Sequence, residues 1–574
     1  MLNTINRFRR SLICSLVIAA LVGAAATPSR SERLDSSRAN LSAPRGRQDF
    51  SQSGRRQGPS LAGNPNRISQ LKAASGETGA RDYFPRNLTA SVSSAASCPA
   101  NPWTEQANVH ASDGAPDDFF GTSVAISGDT AVVGGAAGAA YVFVRSGTVW
   151  SEQQKLTPAG TAFGFGESVA IDGDTIVVGA ISDTVGSNPG QGSAFVFVRS
   201  GTIWSQQQRL VAADGESFDS FGNSVGISGN TVVVGSRFDK VGSNDAQGSA
   251  YVFTRSGAAW TQQQQIVASD GDLVDEFGSA VAIDGETIVV GAFVDDDAFL
   301  DQGSAYVFVR AGTSWSQQQK LVASDARANI FFGSAVGISG ETIVVGAPFA
   351  GTPSTGEAYV FVRSGTVWTQ QQLVTGNDLM FAQSFGTSVA ISGERFVSGS
   401  VGAQIGGNVN QGALYVFERT GTSWTQQQKL VASGGAAGQF FGEAVAISGD
   451  VLLAGFFNEV VPMPVRGSVR IFARVCFDVC LQDDGNAGIN LLFNSTTGDY
   501  LFCCGGSVFT GRGTISIRGS TATLTHNALD RRLSATFNGG GTNKGTASLQ
   551  SPPGRILCTI RDTNTANNHC SCGV

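Results

Sequence analysis

Carboxylates are the side chains most able to do chemistry in this 574-residue sequence, and they are densest at Asp295, Asp296 and Asp297, with Asp301 close behind. Adjacent carboxylates repel unless a cation or solvent comes between them. Calcium takes several oxygen ligands and suits Asp clusters on loops, so these four are candidate calcium ligands; no loop matches a complete calcium motif, and the alternative is a solvated acidic loop with no cofactor. A second group, Asp214, Asp219, Asp270, Asp272, Asp275 and Glu276, recurs with Asp113, Asp117 and Asp118 just ahead of Phe-Gly pairs. These acids are the expected ligand-binding residues. Paired carboxylates also carry glycoside hydrolysis, but no feature singles out one of them as a proton donor. No catalytic residue is assigned and the expected protein is not an enzyme; the alternative is a secreted carbohydrate-active enzyme or lectin.

Other chemistries have little to work with. His occurs only at 110, 526 and 569, too few for His-based catalysis or a His-rich metal site. Arg7, Arg9 and Arg10 precede an apolar stretch over 11–26 that ends in Ala24-Ala25-Ala26, which reads as a secretory signal peptide over 1–26. No later apolar run reaches the roughly 20 residues of a membrane-spanning helix. Beyond the leader, Cys occurs at 98, 476, 480, 503, 504, 558, 570 and 572. An even number in an exported chain points to disulfides. The spacings of Cys476 to Cys480 and of Cys570 to Cys572 do not make paired zinc knuckles.

Charge divides the chain. Residues 27–90 hold eleven Lys or Arg against five Asp or Glu, 91–474 hold 17 against 34, and 475–574 hold 7 against 6. The basic segment 27–97 has no hydrophobic period and reads as a disordered linker or pro-segment. The acidic region behind it should repel nucleic acid and attract cations or basic partners.

The elements that position these acids come from a repeat. Phe-Gly pairs begin at 120, 165, 221, 277, 332, 385 and 441, at spacings of 45, 56, 56, 55, 53 and 56 residues. Each opens the same run: FGSAVAIDGETIVVGA at 277–292, a variable loop, GSAYVFVR at 303–310, a turn, then WSQQQKL at 315–321. Each unit predicts four antiparallel strands: A (VAI), B (TIVVGA), C (AYVFVR) and D (the Trp-Gln run). Gly-containing hairpin turns join A to B and C to D. Seven such units predict a seven-bladed β-propeller; a solenoid would want shorter coils and parallel strands. The Phe and Trp are expected to pack between blades, and the Gln run to be a polar edge without chemistry.

All seven Trp begin D segments, but Trp103 precedes the first Phe-Gly and the last unit stops at strand C, 468–474. Residues 103–109 should therefore complete the last blade and leave no open edge. Cys98 and Cys476 then flank the one place where a C–D turn is missing. A Cys98–Cys476 disulfide is expected, with Cys480 as the alternative partner.

The Phe-Gly, Val-Gly-Ala and Tyr-Val-Phe of each unit resemble the FG-GAP repeat of integrin α-chain heads and of many exported bacterial proteins, over about 103–474. The resemblance implies a seven-bladed propeller at the cell exterior, used for ligand binding or adhesion. The family often carries a D-x-D-x-D-G calcium loop between A and B. Here that link is only SGDT or DGET, so those sites are missing. Function is then expected where the units differ. The long B–C loops (181–191, 237–247, 293–302, 348–356, 401–411 and 456–467) and the acidic D–A loops share one face. The expectation is an all-β protein, secreted or at the cell surface, that binds an extracellular protein or glycan. It comprises a signal peptide (1–26), a linker (27–97), a propeller (98–474) and a small disulfide-rich β-sandwich or barrel (475–574).

Overall fold

The structure is a computed structural model that describes residues 102–474 apart from 116–117, 136–137, 353, 381 and 457–466, together with strands at 88–92 and between 479 and 558. Seven four-stranded antiparallel sheets follow one another around the ring, six of them built from consecutive strands. Blade 1 is typical: strand A is Ser123–Ser127, B is Thr130–Gly135, C is Ala139–Ser146 and D is Val149–Leu156. Gly128 leads its A–B turn at φ +57°, with open space where a Cβ would be, so conformation rather than crowding calls for glycine there.

The seventh sheet combines Ala444–Ser448, Val451–Phe456 and Ser468–Arg474 with the N-terminal strand Trp103–Val109. Trp103 pairs with Arg474 as Trp150 pairs with Arg145 inside blade 1, so the ring closes in the expected register.

Apolar cores lie between blades. The Phe of every Phe-Gly pair is at most 1% exposed. Phe221 sits 5.5 Å from Tyr251 and 6.0 Å from Phe253 of its own strand C. The same cluster takes in Val177, Val196 and Leu210 of the preceding blade. Burying such a side chain contributes about 1.5–3 kcal/mol. A Cβ on Gly179 of blade 2 would lie 2.1 Å from the carbonyl oxygen of Gly222 in blade 3, so the backbones meet only because both residues lack side chains.

The Gln run corrects an expectation, because it laces the blades together. The third Gln of each run pairs its amide with the main chain of the next Trp. Gln208 donates to Trp260 O at 2.7 Å and accepts from Trp260 N at 2.8 Å. The same two-way pairing joins Gln154 to Trp204, Gln264 to Trp315, Gln319 to Trp368, Gln372 to Trp424 and Gln428 to Trp103. The second Gln, such as Gln207, accepts from the Trp260 indole N–H at 2.8 Å. The first, such as Gln262, accepts from the Ala213 N–H of the loop behind it at 3.0 Å. Outer strands of adjacent blades do not share a ladder, and the amides satisfy main-chain groups that a ladder would otherwise meet.

One seam departs from this pattern. Between blades 7 and 1, Ala107 stands where the third Gln would be. Val451 stands where Thr130, Thr175, Thr231, Thr287 and Thr342 receive the strand-C Arg of the next blade; at the seam of blades 6 and 7 Arg395 takes that place and pairs with Asp450 at 3.0 Å instead. Gln106 Oε1 and Trp150 Nε1, which the pattern would join, are buried without a hydrogen-bond partner. At the inner strands this seam keeps a bond found at other seams, Gly128 N donating to Ser448 Oγ at 3.2 Å as Gly173 N donates to Ser127 Oγ at 3.1 Å, and it also keeps the Ser112 N to Glu152 bond at 2.9 Å.

Outside the ring, Leu88–Val92, Val479–Asp483, Asn490–Phe493, Asp499–Cys504, Ser507–Arg518 and Thr521–His526 form a six-stranded sheet. Arg532–Gly540, Thr542–Ser551 and Arg555–Cys558 form a three-stranded one. Leu88–Val92 falls inside the segment expected to lack structure. Its alternation Leu-Thr-Ala-Ser-Val is strand-like but too short to signal alone, and it pairs with Val479–Asp483. The expected signal peptide over 1–26, Asp117, Cys98 and Cys476 lie outside the described residues.

Candidate functional site: carboxylates and tyrosines on the loop face

The B–C and D–A loops emerge together, and strand C places a tyrosine beneath them. Tyr141, Tyr251, Tyr306, Tyr359 and Tyr415 occupy one position of strand C in five blades. Each hydroxyl donates to a loop carboxylate: Asp113 at 2.9 Å, Asp239 at 2.8 Å, Asp295 at 2.7 Å, Asp325 at 2.8 Å and Asp378 at 2.8 Å. Strand D adds a cation one residue before its last apolar position. Lys155 reaches Asp113 at 2.6 Å, Arg209 reaches Asp183 at 2.5 Å and Lys429 reaches Asp378 at 2.7 Å. Lys320 reaches Asp270 at 2.9 Å and Asp295 at 3.0 Å. Hydrogen bonds from Lys155 and Tyr141 hold the Asp113 carboxyl below the usual range. Burial alone would raise Asp378, but Lys429 and Tyr415 outweigh it and lower the group. Burial pushes the Tyr141 hydroxyl up to about 12, with Asp113 adding to the effect.

Blade 3 lacks the cation. Gln265 stands in its place, with Nε2 at 3.0 Å from both Asp239 and the Tyr251 hydroxyl. Burial raises the Asp239 carboxyl, and the charge of Asp214 adds to the rise.

The expected ligand-binding acids divide into several environments. Asp219 and Asp275 turn inward and are each 4% exposed. They accept the main-chain N–H of Glu216 and of Asp272, each at 2.5 Å, and so hold their own loops in shape. Burial pushes Asp219 up to about 7 and Asp275 up to about 6. Glu276 is buried beside Arg237 at 3.6 Å. Asp270 is tied to Lys320, while Asp214 and Asp272 are exposed.

The four expected calcium ligands do not converge. Asp295 is buried and engaged by Tyr306 and Lys320. Asp297 lies 3.7 Å from the same ammonium, and Asp296 accepts the Asp301 N–H at 2.6 Å. Among the described residues, no three His, Cys, Asp or Glu side chains gather in a way that could hold a metal ion. The two-residue A–B turns likewise have no room for the calcium loop of the resembling repeats. The tyrosine and Lys320 positions were missed in the sequence, though superposing the seven units would align Tyr141 with Tyr306, and Lys155 with Arg209, Lys320 and Lys429.

A rigid ring with short turns on one face and variable acidic loops on the other defines a propeller scaffold of the binding type. The FG-GAP repeat matches residues 103–143, 150–197, 204–253, 260–308, 315–361, 368–417 and 424–469, and the chain belongs to that family. Each matched segment begins at a strand-D Trp and ends in strand C of the following blade, the phase that ring closure requires. No curated protein matches the chain.

Proposed function

We propose that this is an exported, non-enzymatic binding or adhesion protein, secreted or held at the cell surface. It engages an extracellular protein or glycan through the loop face of the propeller. The observation that carries this reading is the difference between the two faces. The turn face repeats from blade to blade, with strand-C arginines paired to turn acids such as Asp129 and Asp174. The loop face holds the variation in length and charge. Its buried carboxylates are occupied by tyrosines, cations and loop N–H groups rather than presented in pairs to a substrate. Retention of extracellular proteins or arrayed glycans by the purified chain, lost on reversing loop charges, is the expected result. Turnover of a polysaccharide, abolished by replacing one loop carboxylate, would overturn the non-enzymatic reading.

Calcium is a separable part of the proposal. Burial, with the nearby charge of Asp296, raises the Asp301 carboxyl, and a divalent cation between the two would relieve that repulsion. Calcium added to EDTA-treated protein should then raise the melting temperature. A flat titration removes calcium and leaves the scaffold reading intact.

A further inference from the structure

We propose that the perimeter of the ring between blades 7 and 1 holds a binding site for a primary carboxamide, the side chain of a Gln or Asn carried by a partner polypeptide. This place lies outside the loop face and stands independently of the binding reading above. At the other six seams the ring supplies the carboxamide itself, through the third Gln of each run, as Gln208 does for Trp260. Ala107 ends at Cβ, where those side chains continue for one more methylene and an amide. The fragment that Ala107 lacks is the size of acetamide.

The groups that meet the amide elsewhere are all in place at this seam. Trp150 stands opposite Arg145 across the C–D hairpin, and Arg145 N–H donates to Asp129 O at 2.9 Å, as Arg255 N–H donates to Asn230 O in blade 3. Hydrogen-bonded and open pairs alternate along an antiparallel ladder. Trp150 therefore turns its N–H and C=O away from strand C, as Trp260 turns its own towards Gln208. Two side-chain atoms add to the site. Trp150 Nε1 and Gln106 Oε1 are buried without a hydrogen-bond partner, a cost that a ligand can relieve. Trp150 is 8% exposed, against 2–3% for Trp204, Trp260, Trp315, Trp368 and Trp424, which a Gln covers.

Donor and acceptor geometry selects the ligand. Trp150 offers one N–H and one C=O on the same edge. A primary carboxamide carries its oxygen and one N–H on the same side and meets both. A trans secondary amide carries them on opposite sides and meets only one. A carboxylate brings acceptors alone, which Trp150 C=O and Gln106 Oε1 repel, and an ammonium brings donors alone. Neighbouring charges are already engaged: Arg145 with Asp129 at 2.5 Å, Glu105 with Arg470 at 3.5 Å and Glu152 with the Ser112 N–H at 2.9 Å. The site is thus polar and suited to a neutral group. In proteins the primary carboxamides are Gln and Asn side chains, and Val149, exposed beside Trp150, gives a polypeptide an apolar foothold that a free amide does not use.

The test is NMR of the full chain isotope-labelled at tryptophan nitrogen, with Trp150→Phe identifying the Trp150 main-chain resonance. Acetamide should shift that resonance and saturate at roughly tens of millimolar, the scale for so few atoms. Acetate and N-methylacetamide should need at least about tenfold more. A short peptide with a central Gln, acetylated and ending in a free carboxylate, should bind at least about tenfold tighter than acetamide, and its twin with Leu at the centre should leave the resonance in place. Ala107→Gln supplies the amide from the ring itself and should abolish the response to every probe, while Ala107→Ser should keep it; the other Trp resonances, unmoved, report an intact ring. An acetamide response spread over several Trp, or one retained in Ala107→Gln, overturns the proposal. So does a Leu peptide that shifts Trp150 as the Gln peptide does, which would name an extended strand as the occupant. Saturation by acetamide with no response to the Gln peptide also overturns it, since the occupant would then be a free amide.

Discussion

Ala107→Gln should strengthen the ring at its least-laced seam. At six seams a Gln amide meets the main chain of the neighbouring Trp in both directions, as in the 2.7 and 2.8 Å bonds of Gln208 with Trp260. At the seventh, Ala107 faces the blade of Trp150 with a methyl group. Two neutral hydrogen bonds contribute about 1–3 kcal/mol in total. Fixing one Gln side chain costs up to about 1.5–2 kcal/mol. The net gain should be about 1 kcal/mol, or roughly 1–2 °C in melting temperature for a domain of this size. The converse change, Gln208→Ala, should cost about 1–3 kcal/mol, because it strands an N–H and a C=O of Trp260 together. Urea unfolding followed by tryptophan fluorescence reads this cleanly, since all seven Trp lie in the outer strands of the ring and none in the C-terminal region. A midpoint for Ala107→Gln that is unchanged or lower, at constant m-value, would refute the lacing argument.

Further outcomes follow from the same geometry. Gly179→Ala would drive a methyl group to 2.1 Å from the Gly222 carbonyl oxygen and should cost more than about 3 kcal/mol, while Gly128→Ala, at φ +57° in open space, should cost only about 1 kcal/mol; thermal melts of the two variants compare them. Asp219 and Asp275 bind protons more tightly folded than unfolded, so their contribution to stability grows as pH falls from about 8 towards 4 and is lost as pH rises through about 7 and about 6. The melting temperature should therefore rise on mild acidification, and Asp219→Asn should flatten the upper part of that rise; a profile that only falls below pH 8 contradicts it. Gln265→Lys should supply the cation that blade 3 lacks beside Asp239, raising the melting temperature most at neutral and alkaline pH, where that carboxyl would otherwise carry an uncompensated charge; calorimetry at two pH values tests it.

The architecture was legible because a long period repeats the same information seven times. The Phe-Gly spacing set the blade count, and the phase of Trp103 against 468–474 located the closing strand and its register. The Gln lacing was not legible within one unit. Gln208 shows its purpose only when Trp260 of the following blade lies beside it, a contact that alternation along a strand does not encode. The loop acids were found as a group but not sorted. Asp214 and Asp219 are five residues apart in one loop, yet one is exposed and the other buried. What separates them is a local turn: Glu216 N–H meets Asp219 three residues on, as Ala436 N–H meets Gln439 at the matching place. That spacing is visible in the sequence, but the same residue types make solvated loops too.

The pairing of Trp103 with Arg474 also sets a timetable for synthesis. About 370 residues separate the two positions, so at roughly 5–20 residues per second the first strand is made some 20–75 s before its partner strand. Through that interval residues 103–109 have no finished sheet to join, and the half-built ring exposes the apolar faces of its end blades, the condition that invites misassembly. Blades 1 to 6 can stack as they emerge, since each is a continuous stretch of chain. The final blade cannot. A ribosome stalled just before residue 468 would hold six sheets, the two-stranded start of a seventh and an orphan strand, and the last few residues of the repeat array decide whether the circle is completed.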